Sequence, residues 1–152
     1  MSSETFSEIK NEFSRLHKLL DTYRVLLGQV RTKDPTDIEL LALAGILQSF
    51  YSGFENIFKR IAKEIDGGFA KTESWHMELL GTMILPTDKR LPVISVELKR
   101  RLQFYLGFRH VFRGAYSYDL NWLKMKSLVL ESEEILLLVE KELNEFMKNN
   151  AR

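Results

Sequence analysis

An all-α fold, a four-helix up-down bundle with one additional short helix, is predicted by three features of this 152-residue chain. Apolar residues recur in steps of three and four over long stretches. No run alternates strictly between apolar and polar residues, as a half-exposed strand does. Short segments rich in Pro, Gly or clustered polar residues separate the periodic runs, as connections between bundle helices do.

The first seam is Phe6, Ile9, Phe13, Leu16, Leu20, Tyr23, Leu27 and Val30, which predicts one long helix with Thr5 and Glu8 as a capping box. At "DPTD", Asp34 can cap a second helix whose first position is Pro35. That helix carries two parallel heptad lines, Leu40, Leu47, Phe54, Ile61 and Ala44, Tyr51, Phe58, Ile65. Its expected end is "DGG", Asp66 to Gly68, because glycine takes the left-handed conformation readily. Gly45, Ser49 and Gly53, four apart, form a small-residue ridge on which another helix can approach closely. A short helix lies in "ESWHMELLGTMI", stopped by Pro86. The fourth helix runs from about Val93 to Gly114, "AYSYDLNW" breaks the chain, and a last helix runs from about Leu123 to Lys148.

Length and composition fit a single helical domain over residues 1–152. A chain of this length buries about 70% of its unfolded surface, and 45% hydrophobic with 28% charged residues is a globular composition. The absence of cysteine excludes disulfides and thiolate chemistry and fits a cytoplasmic protein. The N-terminal "MSSETFSEIK" lacks a signal-peptide pattern, and the longest uncharged run, Leu40 to Phe54, is too short and polar to span a bilayer. Net charge is +1, but unevenly placed. Lys89 to Arg113 holds seven Lys/Arg against Glu97, and Ser127 to Met147 holds six Glu against Lys141. Two helices pairing side by side account for this, and so does a basic face turned to RNA, nucleotide or an acidic partner.

Most catalytic signatures are missing. The chain has no glycine-rich phosphate loop, no G-x-S-x-G and no H-E-x-x-H, and His17, His76 and His110 lack metal-ligand spacing. Glu73 and His76 form half of a di-metal pattern whose other half is absent, so neither a metal nor a cofactor is expected. His76 reads as a helix residue hydrogen-bonded locally beside Trp75.

The stretch "GFRHVFRGAY" stands apart. Arg109 and Arg113 are four apart on one helix face, where like charges repel by roughly 0.2–0.5 kcal/mol. A purely structural helix gains nothing from that placement, unless the pair meets the acidic last helix at Glu131, Glu133 or Glu134. The alternative is a phosphodiester: guanidinium forks beside the His110 imidazole offer both charge and a proton acceptor.

"YSGFENIFKRIAKEID", "SWHMELL", "LPVIS" and "LGFRHVFRGAYSYDL" together resemble the HEPN-domain family, specifically the HepT-like ribonuclease toxins, over about Asp37 to Phe146. The resemblance implies a helical homodimer accompanied by a nucleotidyltransferase antitoxin. It also implies metal-independent RNA cleavage through the motif R-x-x-x-x-H-x-Y at the dimer interface. Arg109 and Tyr116 match that motif, but Gly114 stands where the histidine belongs. By resemblance, Arg109 stabilises charge on the scissile phosphate and Tyr116 is the residue adenylylated by the antitoxin; the clustering of cations adds Arg113 as an RNA-phosphate contact. Glycine transfers no proton, and losing an acid/base group costs about 10²–10⁴-fold. His110 shares a helix face with position 114 but is displaced by about one turn, roughly 5.4 Å. Weak or lost activity is therefore expected, with catalysis by Arg109 and His110 as one alternative. The other alternative is a non-catalytic helical dimerisation module that binds a nucleotidyltransferase partner or nucleotide.

Overall fold

Seven α-helices are present in the computed structural model, which describes residues 1–150. They are α1 (Ser3–Thr22), α2 (Arg24–Gln29), α3 (Asp37–Glu64), α4 (Trp75–Thr82), α5 (Val96–Gly114), α6 (Trp122–Leu130) and α7 (Ser132–Asn149). A 3₁₀ turn, Ser117–Asp119, lies between α5 and α6. Among the described residues there is no strand, only an isolated bridge between Thr87 and Arg90. No helix among them is long and apolar enough to cross a membrane. The four long helices pack in ring order, α1 on α3, α3 on α5, α5 on α7 and α7 on α1. Inside the ring lie Ile9, Phe13 and Leu16 of α1, Phe50, Phe54, Ile57 and Phe58 of α3, Leu102 of α5, and Leu136, Val139 and Leu143 of α7.

The helix starts differ from expectation by a few residues, for local reasons. Ser2 caps α1 by accepting from the Thr5 amide, and Thr5 itself is buried. The expected Thr5–Glu8 capping box does not form. Thr36, not Asp34, caps α3: its hydroxyl accepts from the Glu39 amide while the Glu39 carboxylate accepts from the Thr36 amide. That reciprocal pair satisfies two orphan N–H groups, whereas Asp34 would satisfy one. The helix expected from about Val93 begins at Val96, three residues later than the periodicity implies, because Ser95 caps it. The amide and hydroxyl of Ser95 both donate to Glu142, at 2.6 and 3.0 Å, which ties the start of α5 to α7. At the far end of α3, Gly67 and Gly68 take φ of 82° and 120°, and the Gly68 amide donates to the Ala62 carbonyl at 2.8 Å. Only glycine adopts such angles at low cost.

The first and last helices of the sequence reading are each broken in two. The seam from Phe6 to Val30 is interrupted at Tyr23, and that from Leu123 to Lys148 at Glu131. The short helices beside the two breaks touch: Arg31, just past α2, donates to the Leu130 carbonyl at the end of α6. Ser132 donates to the Val129 carbonyl at 2.8 Å, so a side chain occupies the acceptor that a continuous helix would use otherwise. Apolar periodicity survives both kinks, which is why it could not reveal them.

Of the small-residue ridge on α3, only Gly53 is used inside the chain. A Cβ there would lie 2.5 Å from Cδ2 and 2.9 Å from Cγ of Leu16, a buried residue of α1. A Cβ on Gly45 meets nothing within 4 Å. Gly45→Ala is expected to raise stability by about 0.5–1 kcal/mol, through the helix preference for alanine. Gly53→Ala gains the same term but forces the close-packed Leu16 aside, at about 1–3 kcal/mol. Paired chemical denaturation of the two variants, with shifts of opposite sign, checks this; equal gains would contradict the close approach.

Candidate functional site

Ser52, Glu55 and Lys59 follow one another at helical spacing along one face of α3. Glu55 falls four residues after Tyr51 and three before Phe58, both fully buried, so its carboxylate is carried into the interior. A buried carboxylate requires a counter-charge. Arg109 of α5 supplies it: Nη2 donates to Oε1 and Oε2 of Glu55 at 3.1 and 3.3 Å, and Nη1 donates to the Ser52 hydroxyl at 3.1 Å. The guanidinium carbon lies 5.4 Å from the centroid of the Tyr51 ring, a cation–π distance. Burial pushes the Tyr51 phenol well above its ordinary value, the Glu55 charge adds to this, and Arg109 offsets part of it.

His76 enters the same cluster from α4. Its Nδ1 lies 2.7 Å from Glu55 Oε2 and 2.7 Å from Arg109 Nη2. One nitrogen cannot donate to the carboxylate and accept from the guanidinium at once. The tautomer with hydrogen on Nδ1 gives the charge-assisted bond to Glu55, while Arg109 already has acceptors in Glu55 and Ser52; we assign it on that ground. Nε2 of His76 makes no hydrogen bond among the described residues and is not sealed from solvent. The imidazole is stacked on Trp75 with centroids 3.6 Å apart, Phe69 backs Trp75 at 5.3 Å, and the Lys59 ammonium lies 5.1 Å from the Trp75 ring.

The residues singled out in "GFRHVFRGAY" therefore part company. Arg109 is buried, whereas His110, Arg113 and Gly114 are exposed on the last turn of α5. Neither His110 nor Arg113 forms a side-chain hydrogen bond or ion pair among the described residues. Gly114 is helical, without positive φ, and a Cβ there meets nothing within 4 Å. Tyr116 is 70% exposed and stacks in parallel on Tyr118 at 5.4 Å. Phe104 and Val111 are 69% and 65% exposed.

Arg109 and Arg113 do not meet the acidic last helix. Arg101 does, donating to Glu131 at 2.8 Å and Glu134 at 2.7 Å, which holds the Glu134 carboxyl below its usual range. Arg90 is buried too, paired with Asp66 through Nε and Nη2 at 2.8 and 2.9 Å, with further bonds to the Leu85, Leu91 and Thr82 carbonyls. Sequence reasoning missed Glu55 and placed His76 in a purely local setting. The available signal was a lone carboxylate inside the apolar face at Tyr51–Phe58. No group of His, Asp and Glu suited to a metal ion occurs among the described residues.

A family model described as HepT-like protein matches residues 42–150. No curated protein and no solved structure matches the chain.

Removing one partner of a buried ion pair strands the other, at about 3–5 kcal/mol, whereas replacing both by apolar groups is close to neutral. Arg109→Met alone is expected to lower unfolding free energy by that amount, and adding Glu55→Met to recover most of it. A denaturation double-mutant cycle measures the coupling. Additive losses would show that Glu55 is not the counter-charge.

Proposed function

The chain belongs to the HepT-like family, and from that membership we propose a HEPN toxin-type protein with a metal-independent endoribonuclease fold and a degenerate motif. Gly114 in place of the motif histidine leaves it weakly active at most, under the control of a nucleotidyltransferase antitoxin. The observation that carries this reading is the surface of the last turn of α5. Arg113, His110 and Gly114 are open there, one turn from a guanidinium held at fixed position. In this reading RNA phosphate is drawn by the exposed Arg113 and reaches the buried Arg109 only by replacing Glu55 and Ser52 as its partners. Its backbone then runs past position 114, where a histidine would transfer the proton.

The homodimer belongs to the same proposal. Phe104 and Val111 stand exposed beside a cavity of about 430 Å³ that they line with Phe108, Leu128 and Lys124. Pairing of two such faces would remove apolar surface from water and bring two copies of the Arg109 segment together. Light scattering at tens of micromolar should report a dimer, and Phe104→Asp a monomer. A wild-type monomer would remove the shared cleft.

Specific observations also favour the second reading, a non-catalytic module that binds a nucleotidyltransferase partner or nucleotide. Glu55 already neutralises Arg109, and Gly114 carries no acid/base group. The decisive experiment is Gly114→His. The site has space and helical backbone, and histidine has better helix propensity than glycine by a few tenths of a kcal/mol, so the variant should fold. Cleavage of single-stranded RNA is expected to rise at least about tenfold over wild type. A folded, dimeric Gly114→His variant that neither binds nor cleaves RNA would leave the interaction-module reading.

Modification gives an independent check. Co-expression with a nucleotidyltransferase partner should place an adenylate on Tyr116, whose hydroxyl is exposed beside the phosphate surface. Peptide mapping that finds the adduct on the stacked neighbour Tyr118 alone would reassign the target.

A further inference from the structure

The Glu55–His76–Arg109 cluster contains a proton-transfer group that the motif does not. We propose that His76 is a catalytic residue, its Nε2 acting as general base toward the ribose 2′-hydroxyl of RNA, with Glu55 and Arg109 as positioning residues. The inference rests on the RNA reading above and assigns to α4 the chemistry that Gly114 cannot perform.

Three features of the imidazole carry it. Nδ1 lies 2.7 Å from a buried carboxylate and 2.7 Å from Arg109 Nη2, and with its hydrogen assigned to the carboxylate the Nε2 lone pair is free. The ring plane is set by the Trp75 stack at 3.6 Å, which opposes tilting of the imidazole. Nε2 has no partner among the described residues and is not closed off, with the side chain 24% exposed. A base oriented by a second group, with its working nitrogen open, is the arrangement that general-base catalysis needs. Arg109 fixes the carboxylate that fixes the imidazole, and the Lys59 ammonium lies over the Trp75 ring on which the imidazole stacks.

In the step, Nε2 takes the proton of the 2′-hydroxyl as that oxygen attacks the adjacent phosphorus. The bond from phosphorus to the 5′-oxygen breaks, leaving a 2′,3′-cyclic phosphate. The departing 5′-oxygen takes a proton from water, and the imidazolium returns one to solvent.

The test is steady-state cleavage of single-stranded RNA by the full chain. Wild type should turn over slowly. His76→Ala should lower kcat by about 10²-fold or more with KM changed by less than about threefold, and imidazole added to the buffer should restore part of the loss. His17→Ala, on α1 and paired with Glu140, should leave both unchanged. Glu55→Gln should lower kcat in the wild-type background and cost little more once His76 is gone. Unchanged cleavage by His76→Ala, or a loss that imidazole does not reverse, overturns the assignment. If wild type is inert while Gly114→His cleaves, the RNA reading stands and the His76 assignment falls. If neither chain binds or cleaves RNA, the functional reading itself falls with it.

Discussion

A guanidinium cannot sit in a protein interior without a counter-charge, and the pairing of Arg109 with Glu55 meets that demand. Because both side chains are nearly sealed from water, the bond between them fixes α5 against α3 at the level of individual atoms. Ser52 and the Tyr51 ring complete the cage, and His76 draws α4 into it. The carboxylate serves Arg109 and the imidazole together, so no member of the cluster can move without stranding another. The positions of Arg113 and Gly114 on the next turn of α5 follow from where Arg109 is held.

The uneven charge of the chain acquires a different meaning once two arginines are inside. Arg90 and Arg109 are neutralised by Asp66 and Glu55, neither of which lies in the acidic C-terminal stretch. Arg101 alone makes the expected helix-to-helix pairing with that stretch. It is partly exposed, so its two bonds contribute little to stability next to the buried pairs. Of the seven Lys/Arg in the basic stretch, Arg113 is the one exposed at the C-terminal end of α5.

The kinks also organise the molecule. With the first and last helices broken at Tyr23 and Glu131, Arg31 past α2 bonds to the Leu130 carbonyl of α6, and α1 packs on α7. A groove of about 680 Å³ opens at that seam, lined by Leu20, Leu27, Leu136 and charged neighbours including Arg24 and Glu133. It is remote in sequence from the Arg109 cluster and shares none of its residues.

Helical class, the long helices and the glycine stop after α3 were legible because they depend on periodicity and on local backbone preference, which act within a few residues. The R-x-x-x-x-G-x-Y pattern, Arg109 to Tyr116, was legible for the same reason: it is written in consecutive residues. The partner of Arg109 was not. Glu55 lies 54 residues away and His76 lies 33 away, and nothing in their local patterns records that α3, α4 and α5 converge. Likewise, a kink that preserves the apolar seam leaves no trace in the seam. Sequence alone determined which faces of the helices are apolar and which side chains can carry charge or a proton. Only the tertiary packing decided that Arg109 meets an internal carboxylate and that His76 stands beside it, because desolvation makes a buried charge seek its complement wherever the fold brings one near.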